Sequence, residues 1–476
     1  MSTEFPAGDL SGVGRFLPSA SGATREDAAG WPGAKALHAD ATASASVSVS
    51  AKNYGARMTD VEVVARARIS DGQPVERLVC HPRLPLFACL DSQRPAVSVW
   101  TCDAGSLREL GSIGAESAVY GEALGWERAR RTPAVAWHPH QPLLMVAFED
   151  TTVQWQPSGP TAPVDLPPTA RYNNLAFSPD GHTLWASPSS DGADDAWERS
   201  DVLDLTSGAV SVGPQWDTGI AEHPGGGLVT TLSSDQGATL ALFARVDVSN
   251  APATMRLLRH ALILDADGYE PPVFSSDGRH LAIRGNAYGN SLDVFEFPSL
   301  RRVFSTTLGE PNPGYPYPRQ WRDQMRAWSR QNLVFGTRRG VLWVGTPTGA
   351  LVEVDIEALA AREHDIFAGS PVSAVGRAAS GELVVAGGSG ELVFLSVDAA
   401  PTDGADDARA KAAVTAFLDS TSEVSDEADL DSDLILTNGV TTWDAEDLAT
   451  VDTASEADPT WLQLQAAINN VRGQVE

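Results

Sequence analysis

The sequence predicts an all-β fold: a seven-bladed β-propeller, closed into a ring from seven copies of one antiparallel unit, with an acidic, partly helical C-terminal extension. Three observations predict it. The stretch YNNLAFSPDGHTLWAS at 172–187 reads as an apolar run ending at Phe177, a tight turn through Ser178, Pro179, Asp180 and Gly181, and a second run from Thr183; it returns as EPPVFSSDGRHLAIRG at 270–285. A step of seven residues from the end of one run to the start of the next joins Cys80 to Phe87, Trp137 to Leu144, Phe177 to Leu184, Phe274 to Leu281 and Phe335 to Leu342. Blurred copies run from Ile220 through His223 and Gly225–Gly227 to Thr231, and from Val372 through Ser380 and Gly381 to Val385. Behind each hairpin lies a third run of alternating character, among them VSVW at 97–100, TVQW at 152–155 and LVFLSV at 392–397. Alternation at period two suits a strand whose successive side chains point to opposite faces.

The turn positions 81, 138, 178, 223, 275, 336 and 378 are separated by 57, 40, 45, 52, 61 and 42 residues, so the excess over a constant period falls in loops. FSPDG followed by LWAS or LAIR, and WHPHQPLLMVAF with TVQW behind it, resemble the blades of WD40-type propellers, whose unit is roughly 40–45 residues and four strands. The resemblance covers about residues 61–398. At the family's Trp-Asp position this chain has Trp100 followed by Thr101 and Trp155 followed by Gln156.

Three units divide the chain: a low-complexity N-terminal arm at 1–60, the propeller at 61–398 and the acidic extension at 399–476. Within the arm, ATASASVSVSA at 41–51 alternates small apolar and hydroxyl residues. Either that stretch or VEVVARARI at 61–69 closes the ring, since pairing an early strand with a terminal blade removes exposed sheet edges. The second is preferred, as the outer strand of blade one or seven.

Composition bounds the partners. Acidic residues outnumber basic ones 62 to 34, giving a net charge of −28, which disfavours nucleic acid and anionic membranes. Lysine occurs only at 35, 52 and 411, which with abundant Ala and Gly fits a GC-rich bacterial coding background. MSTEFPAGDL has neither the charged start nor the apolar core of a secretory signal, and no apolar run approaches the ~18–20 residues of a membrane span, so the expected compartment is the cytoplasm. Cys80, Cys89 and Cys102 are too few for a disulfide framework and lack a Cys-x-x-Cys spacing, so they read as buried free thiols.

Several constellations invite a chemical reading and lose it on inspection. The His-Pro steps at His81, His138 and His223 fall one per blade at the Ser178-Pro179 turn position, so convergence on a metal is rejected for a turn role. Asp191, Asp194, Asp195 and Glu198 match no calcium loop. The run from Asp429 lacks Gly at its sixth position (Leu434) and Glu at its twelfth (Val440). GGSGE at 387–391 is no nucleophile elbow, because Glu391 stands where Gly is needed. No Gly-rich loop ends in Gly-Lys-Ser/Thr. No catalytic residue, metal or cofactor is assigned.

Three segments remain. The connection 103–132 ends in Trp126, Glu127, Arg128, Arg130 and Arg131, whose arginines are expected to offset neighbouring acids. The insertion 309–332 places Tyr315, Tyr317, Trp321 and Trp328 among Arg319, Arg322, Arg326 and Arg330. A helix after Gln320 would set Arg322, Arg326 and Arg330 on one face and Trp321, Met325 and Trp328 on another. Tyr, Trp and Arg dominate binding hot spots, which makes Tyr315, Tyr317, Arg319, Trp321, Arg322, Arg326 and Trp328 candidate partner-binding residues.

In the extension, residues 401–476 hold 17 acidic and 3 basic residues, a balance of −14. Helices are expected at about 405–418 and at 460–472, the latter capped by Asp458 with Pro459 in its first turn. Trp461, Leu464, Ile468 and Val471 form an apolar stripe that docks on the propeller or enters a partner's groove; Trp461, Leu464 and Ile468 join the candidate set. The resulting expectation is a monomeric, non-enzymatic scaffold for other proteins. The alternative is a propeller hydrolase or lyase with its site at the central channel.

Overall fold

The computed structural model describes residues 60–475 except 70–71, 115–116, 118, 124–126, 129–130, 150, 162–171, 188–199, 214–218, 236–237, 266–267, 286–288, 398–403, 426–432 and 456–457. The arm with its 41–51 stretch, the Asp191–Glu198 acids, Trp126, Arg130, Asp429 and Asp431 lie outside the described residues.

Seven antiparallel sheets form a propeller. Blade one is Val75–Cys80, Leu86–Asp91, Ala96–Thr101 and Arg108–Gly114; blade two Ala134–Trp137, Leu144–Ala147, Thr152–Gln156 and Gly159–Thr161. Blade three is Asn174–Phe177, Thr183–Ser187, Ser200–Asp204 and Val210–Gly213; blade four Ala221–Glu222, Leu228–Asp235, Ala238–Asp247 and Thr254–Leu264. Blade five is Val273–Phe274, His280–Arg284, Ser291–Glu296 and Arg302–Thr307; blade six Leu333–Phe335, Val341–Gly345, Ala350–Asp355 and Ala360–Asp365. Blade seven takes Val372–Arg377, Leu383–Gly387 and Glu391–Val397 from one end of the propeller and Val61–Arg68 from the other, so the early strand is the outer strand of the last blade.

The seven-residue step is the register of the first hairpin. Cys80 faces Phe87, Trp137 faces Leu144, Phe177 faces Leu184, Phe274 faces Leu281 and Phe335 faces Leu342. Blade four, whose copy is blurred in sequence, keeps the step with Glu222 opposite Val229. Blade seven shortens it by one, Arg377 opposite Leu383.

Alternation buries both faces of every sheet. In blade seven, Leu383 and Val385 pack toward blade six while Val384 and Ala386 pack toward blade one. In blade three, Leu184 and Ala186 face blade two and Trp185 faces blade four. The core is thus a set of apolar wedges, one at each blade boundary.

The His-Pro positions do take a turn role. His81 Nδ1 accepts from the Arg83 and Leu84 amides at 3.0 and 3.1 Å, His138 Nδ1 from His140 and Gln141 at 3.1 Å each, and His223 Nδ1 from Gly225 at 3.0 Å. Where the residue is serine the hydroxyl does this work: Ser178 Oγ accepts from the Thr183 amide and Ser275 Oγ from the His280 amide, both at 2.9 Å. The longer imidazole also reaches the next blade. His81 packs on Trp137 at 5.2 Å, His138 on Phe177 at 5.2 Å and His223 on Phe274 at 4.8 Å.

Among the described residues, helices α1 (Arg319–Ala327), α2 (Gly404–Ser420), α3 (Ala445–Thr450) and α4 (Thr460–Val475) accompany the sheets. Helix α2 lies against the first-hairpin turns of blades four to six. Its Ala410 carbonyl sits 2.5 Å from where a Cβ on Gly225 would stand, and Asp406 pairs with Arg339. Val414 and Phe417 fill the wedge between blades four and five. The extension then adds Ile435–Thr437 in parallel beside the outer strand of blade four, followed by Thr442–Trp443. The Asp458 carboxylate accepts from the Ser455 amide at 2.7 Å, in the segment that precedes α4. One expectation for α4 needs correction. The buried side chains of α4 are Trp461, Leu462 and Ala466, whereas Leu464 and Ile468 are half-buried and Val471 is 48% exposed. The helix presents a neighbouring stripe because blade four offers its outer sheet face through Leu240, Leu242 and Ile263.

Candidate functional site

The segment 103–132, expected as a connection, contains the outer strand of blade one at Arg108–Gly114, and the part that follows it, like the insertion, lies between an outer strand and the inner strand of the next blade. They therefore share one face of the disc, opposite the first-hairpin turns that hold α2. Rigid seating comes first. Pro318 precedes α1, and Trp321 is buried with its Nε1 donating to the Glu310 carbonyl at 3.2 Å. Tyr317 stacks on Trp321 at 5.1 Å, and Tyr315 meets Tyr317 edge-on at 6.0 Å. Asn290 Nδ2 donates to the Met325 carbonyl at 3.2 Å, and Trp328 packs into the wedge between blades five and six. The helix ends at Ala327, so Arg330 leaves the expected face and enters the approach to blade six.

The aromatic and basic residues accordingly separate by task. Trp321 and Trp328 anchor, Tyr317 is half-buried between, and Tyr315, Arg319 and Arg326 stand outward. Tyr315 is 74% exposed; Arg319 is paired only loosely, 3.7 Å from Asp323 on the same helix. Arg322 is half-buried. Trp461, Leu464 and Ile468 belong to a different surface, on the outer side of blade four, and Trp461 is covered by the chain itself.

Under this face the channel mouth carries charges that no spacing in the sequence brings together. Arg128 meets Glu76 with Nη2 at 2.5 Å and Nε at 3.2 Å and lies 3.6 Å over the Tyr120 ring. Arg131 pairs with Glu127 at 2.6 Å and Glu149 at 3.5 Å, the offsetting role expected of this segment. Across the mouth, Glu270 accepts from Gln331 Nε2 at 2.8 Å and has Arg330 Nε at 3.8 Å. Burial pushes the Glu270 carboxyl up, opposed by Arg330, Arg284 and Arg77. The available signal was a charged residue inside an apolar inner or second strand: Glu76 and Arg77 in VERLVC, Arg284 in HLAIR.

Neither a protein-family model nor a curated protein matches this chain. Among the described residues no group of three or more His, Cys, Asp or Glu gathers as metal ligands would, and no helix is long and apolar enough to cross a membrane. The cysteines are unbridged; Cys89 and Cys102 are buried and Cys80 half-buried, and burial pushes the Cys80 thiol up to about 12. A second buried charge group, Glu353 with Arg338 at 2.7 Å and His364 at 3.3 Å, sits inside blade six away from the mouth.

Proposed function

We propose that this chain is a cytoplasmic, non-enzymatic scaffold on a WD40-like propeller that engages another protein through the face bearing α1. The observation that carries the reading is the division of labour in the insertion. Two tryptophans fix its backbone while Tyr315, Arg319 and Arg326 are left outward. Pre-set aromatic and guanidinium groups lose little entropy on binding, and on a chain of net charge −28 a basic helix favours an acidic partner surface. Fold alone licenses no chemistry. A hydrolase or lyase at the channel is the second reading, favoured by Glu76 and Glu270 at the mouth; their engagement as acceptors by Arg128 and Gln331 weighs toward the scaffold.

The test is quantitative co-purification with cross-linking from native cells. The triple variant Tyr315→Ala, Arg319→Ala, Arg326→Ala is expected to lose a partner that Leu359→Ser, at an exposed site in blade six, retains. Full retention by the triple variant, or no partner for wild type, would sink the reading.

A further inference from the structure

Helix α2 and the added strand Ile435–Thr437 do not close completely over blades four and five. They leave a cavity of about 490 Å³, within the size range of small-ligand sites. The outer strand of blade four and the turn joining the third and outer strands of blade five form one side of it; the end of α2 and the added strand form the other.

The polar residue in this cavity stands among apolar neighbours. Leu258 and Leu262, two residues to either side of His260, are completely buried in the wedge between blades four and five, and strand alternation puts His260 with them. Yet His260 is half-buried and borders the cavity. Its ring lies 5.9 Å from Phe417, and its nitrogens make no hydrogen bond among the described residues. Burial lowers its pKa, with the Arg259 charge adding to the effect. A neutral imidazole offers one donor and one acceptor, so the cavity presents an unspent hydrogen-bonding group in an apolar surround.

The surroundings select the occupant. Phe297, Leu300, Ala416 and Ile435 supply apolar wall. Leu300 shows how the extension makes that wall: it holds a positive φ of 55°, as Leu359 does at 50° in the equivalent turn of blade six. Leu359 is 66% exposed, whereas Leu300, under the extension, is 4% exposed. At the edge, Glu296 Oε2 accepts from Ser299 Oγ and Arg301 Nη2, each at 3.0 Å. An anion would meet that carboxylate in a chain of net charge −28. A cation would give up its hydration for apolar walls and a carboxylate already paired.

We infer that this cavity binds a small neutral ligand of the phenol class, an apolar body with one hydroxyl, whose hydroxyl hydrogen-bonds to His260. The hydroxyl can donate to the imidazole or accept from it, so either tautomer is served. Because the walls come from the propeller and from the extension, the occupant bridges the two. The site is independent of α1 and of any protein that α1 engages.

Calorimetric titration of the full chain with para-butylphenol tests this, against para-butylbenzoate and para-butylbenzylamine as anionic and cationic counterparts. One site per chain is expected, with the phenol bound most tightly. His260→Phe keeps an aromatic ring and removes the hydrogen bond, and should weaken the phenol by about fivefold or more. Ala416→Trp places an indole in the cavity and should abolish binding. Val212→Ser, at an exposed site in blade three, should bind as wild type does. Amide hydrogen exchange of the wild-type chain needs no variant: the phenol should slow exchange in the turn at 297–301 and at the end of α2, and leave α1 unchanged. No binding of the phenol, tighter binding of the benzoate or the benzylamine, unchanged affinity in His260→Phe or Ala416→Trp, or protection away from the cavity walls would overturn it.

Discussion

His223 Nε2 donates to the Gly278 carbonyl at 2.9 Å, tying the turn of blade four to the turn of blade five. The same ring accepts at Nδ1 from Gly225 and packs 4.8 Å from Phe274 and 4.6 Å from Phe297. His81 repeats the tie between blades one and two, with Nε2 on the Gln141 carbonyl at 2.9 Å. Accepting at Nδ1 leaves the proton on Nε2, so each ring must be neutral to fill both roles.

Replacing His223 with Phe keeps the ring contacts and removes both hydrogen bonds, leaving a buried carbonyl and amide unpaired. A loss of about 2 kcal/mol is expected. Urea unfolding should show a lower midpoint with an unchanged slope.

The same geometry sets a pH dependence. Burial lowers the pKa of His81 and His138, and that of His223 from 6.5 to about 4. Between those values the folded protein binds fewer protons than the unfolded chain, so stability rises with pH across the window. It is fully present above about 6.5 and lost as pH falls toward 4. For His223, which is fully buried, the span is worth of order 3 kcal/mol. Melting temperature measured from pH 7.5 to 4.5 should fall less steeply in His223→Gln than in wild type.

Gly278 and Gly226 occupy equivalent turns at positive φ, 68° and 73°. A Cβ on Gly278 would stand 2.4 Å from His223 Cε1 and 2.6 Å from its Nε2, whereas one on Gly226 meets nothing within 4 Å. Gly226→Ala should cost about 1 kcal/mol from backbone strain alone. Gly278→Ala should cost clearly more, since it also displaces the inter-blade hydrogen bond, and chemical denaturation of the two variants will separate the terms.

Helix α2 is held by Phe417, 1% exposed and 5.0 Å from both Phe243 and Phe297. Phe417→Ala should cost about 3–5 kcal/mol, as for other buried aromatics. Ile468→Ser, on the half-buried side of α4, should cost well under half of that. Thermal unfolding of both variants checks whether the extension is part of the propeller's cooperative unit.

Blade number, hairpin register and the third strands were legible because each is written locally: an apolar run, a turn that only a few residue types can make, and alternation that only a sheet can bury. The blurred copies in blades four and seven were harder because Gly225 stands where the Pro-Asp-Gly turn has its Asp and blade seven drops one residue from the step. The stripe on α4 was misplaced because periodicity gives the spacing of an apolar face but not which side the receiving sheet offers. Arg330 was set on a helix that stops at Ala327, where the chain turns toward Gln331 and the inner strand of blade six. The mouth cluster left almost no trace, since Glu76, Arg77, Glu270 and Arg284 are ordinary in their own strands and gain meaning only across the channel.

By itself the sequence determined the repeated antiparallel unit, its seven copies and the contrast between a basic aromatic insertion and an acidic tail, because short-range patterning sets strand, turn and composition. Only the tertiary structure decided which aromatics are spent as anchors, that α2 wedges between blades four and five, and which charges meet over the channel. A closed ring brings residues hundreds of positions apart into one electrostatic neighbourhood, and Coulomb energy depends on distance through space rather than along the chain.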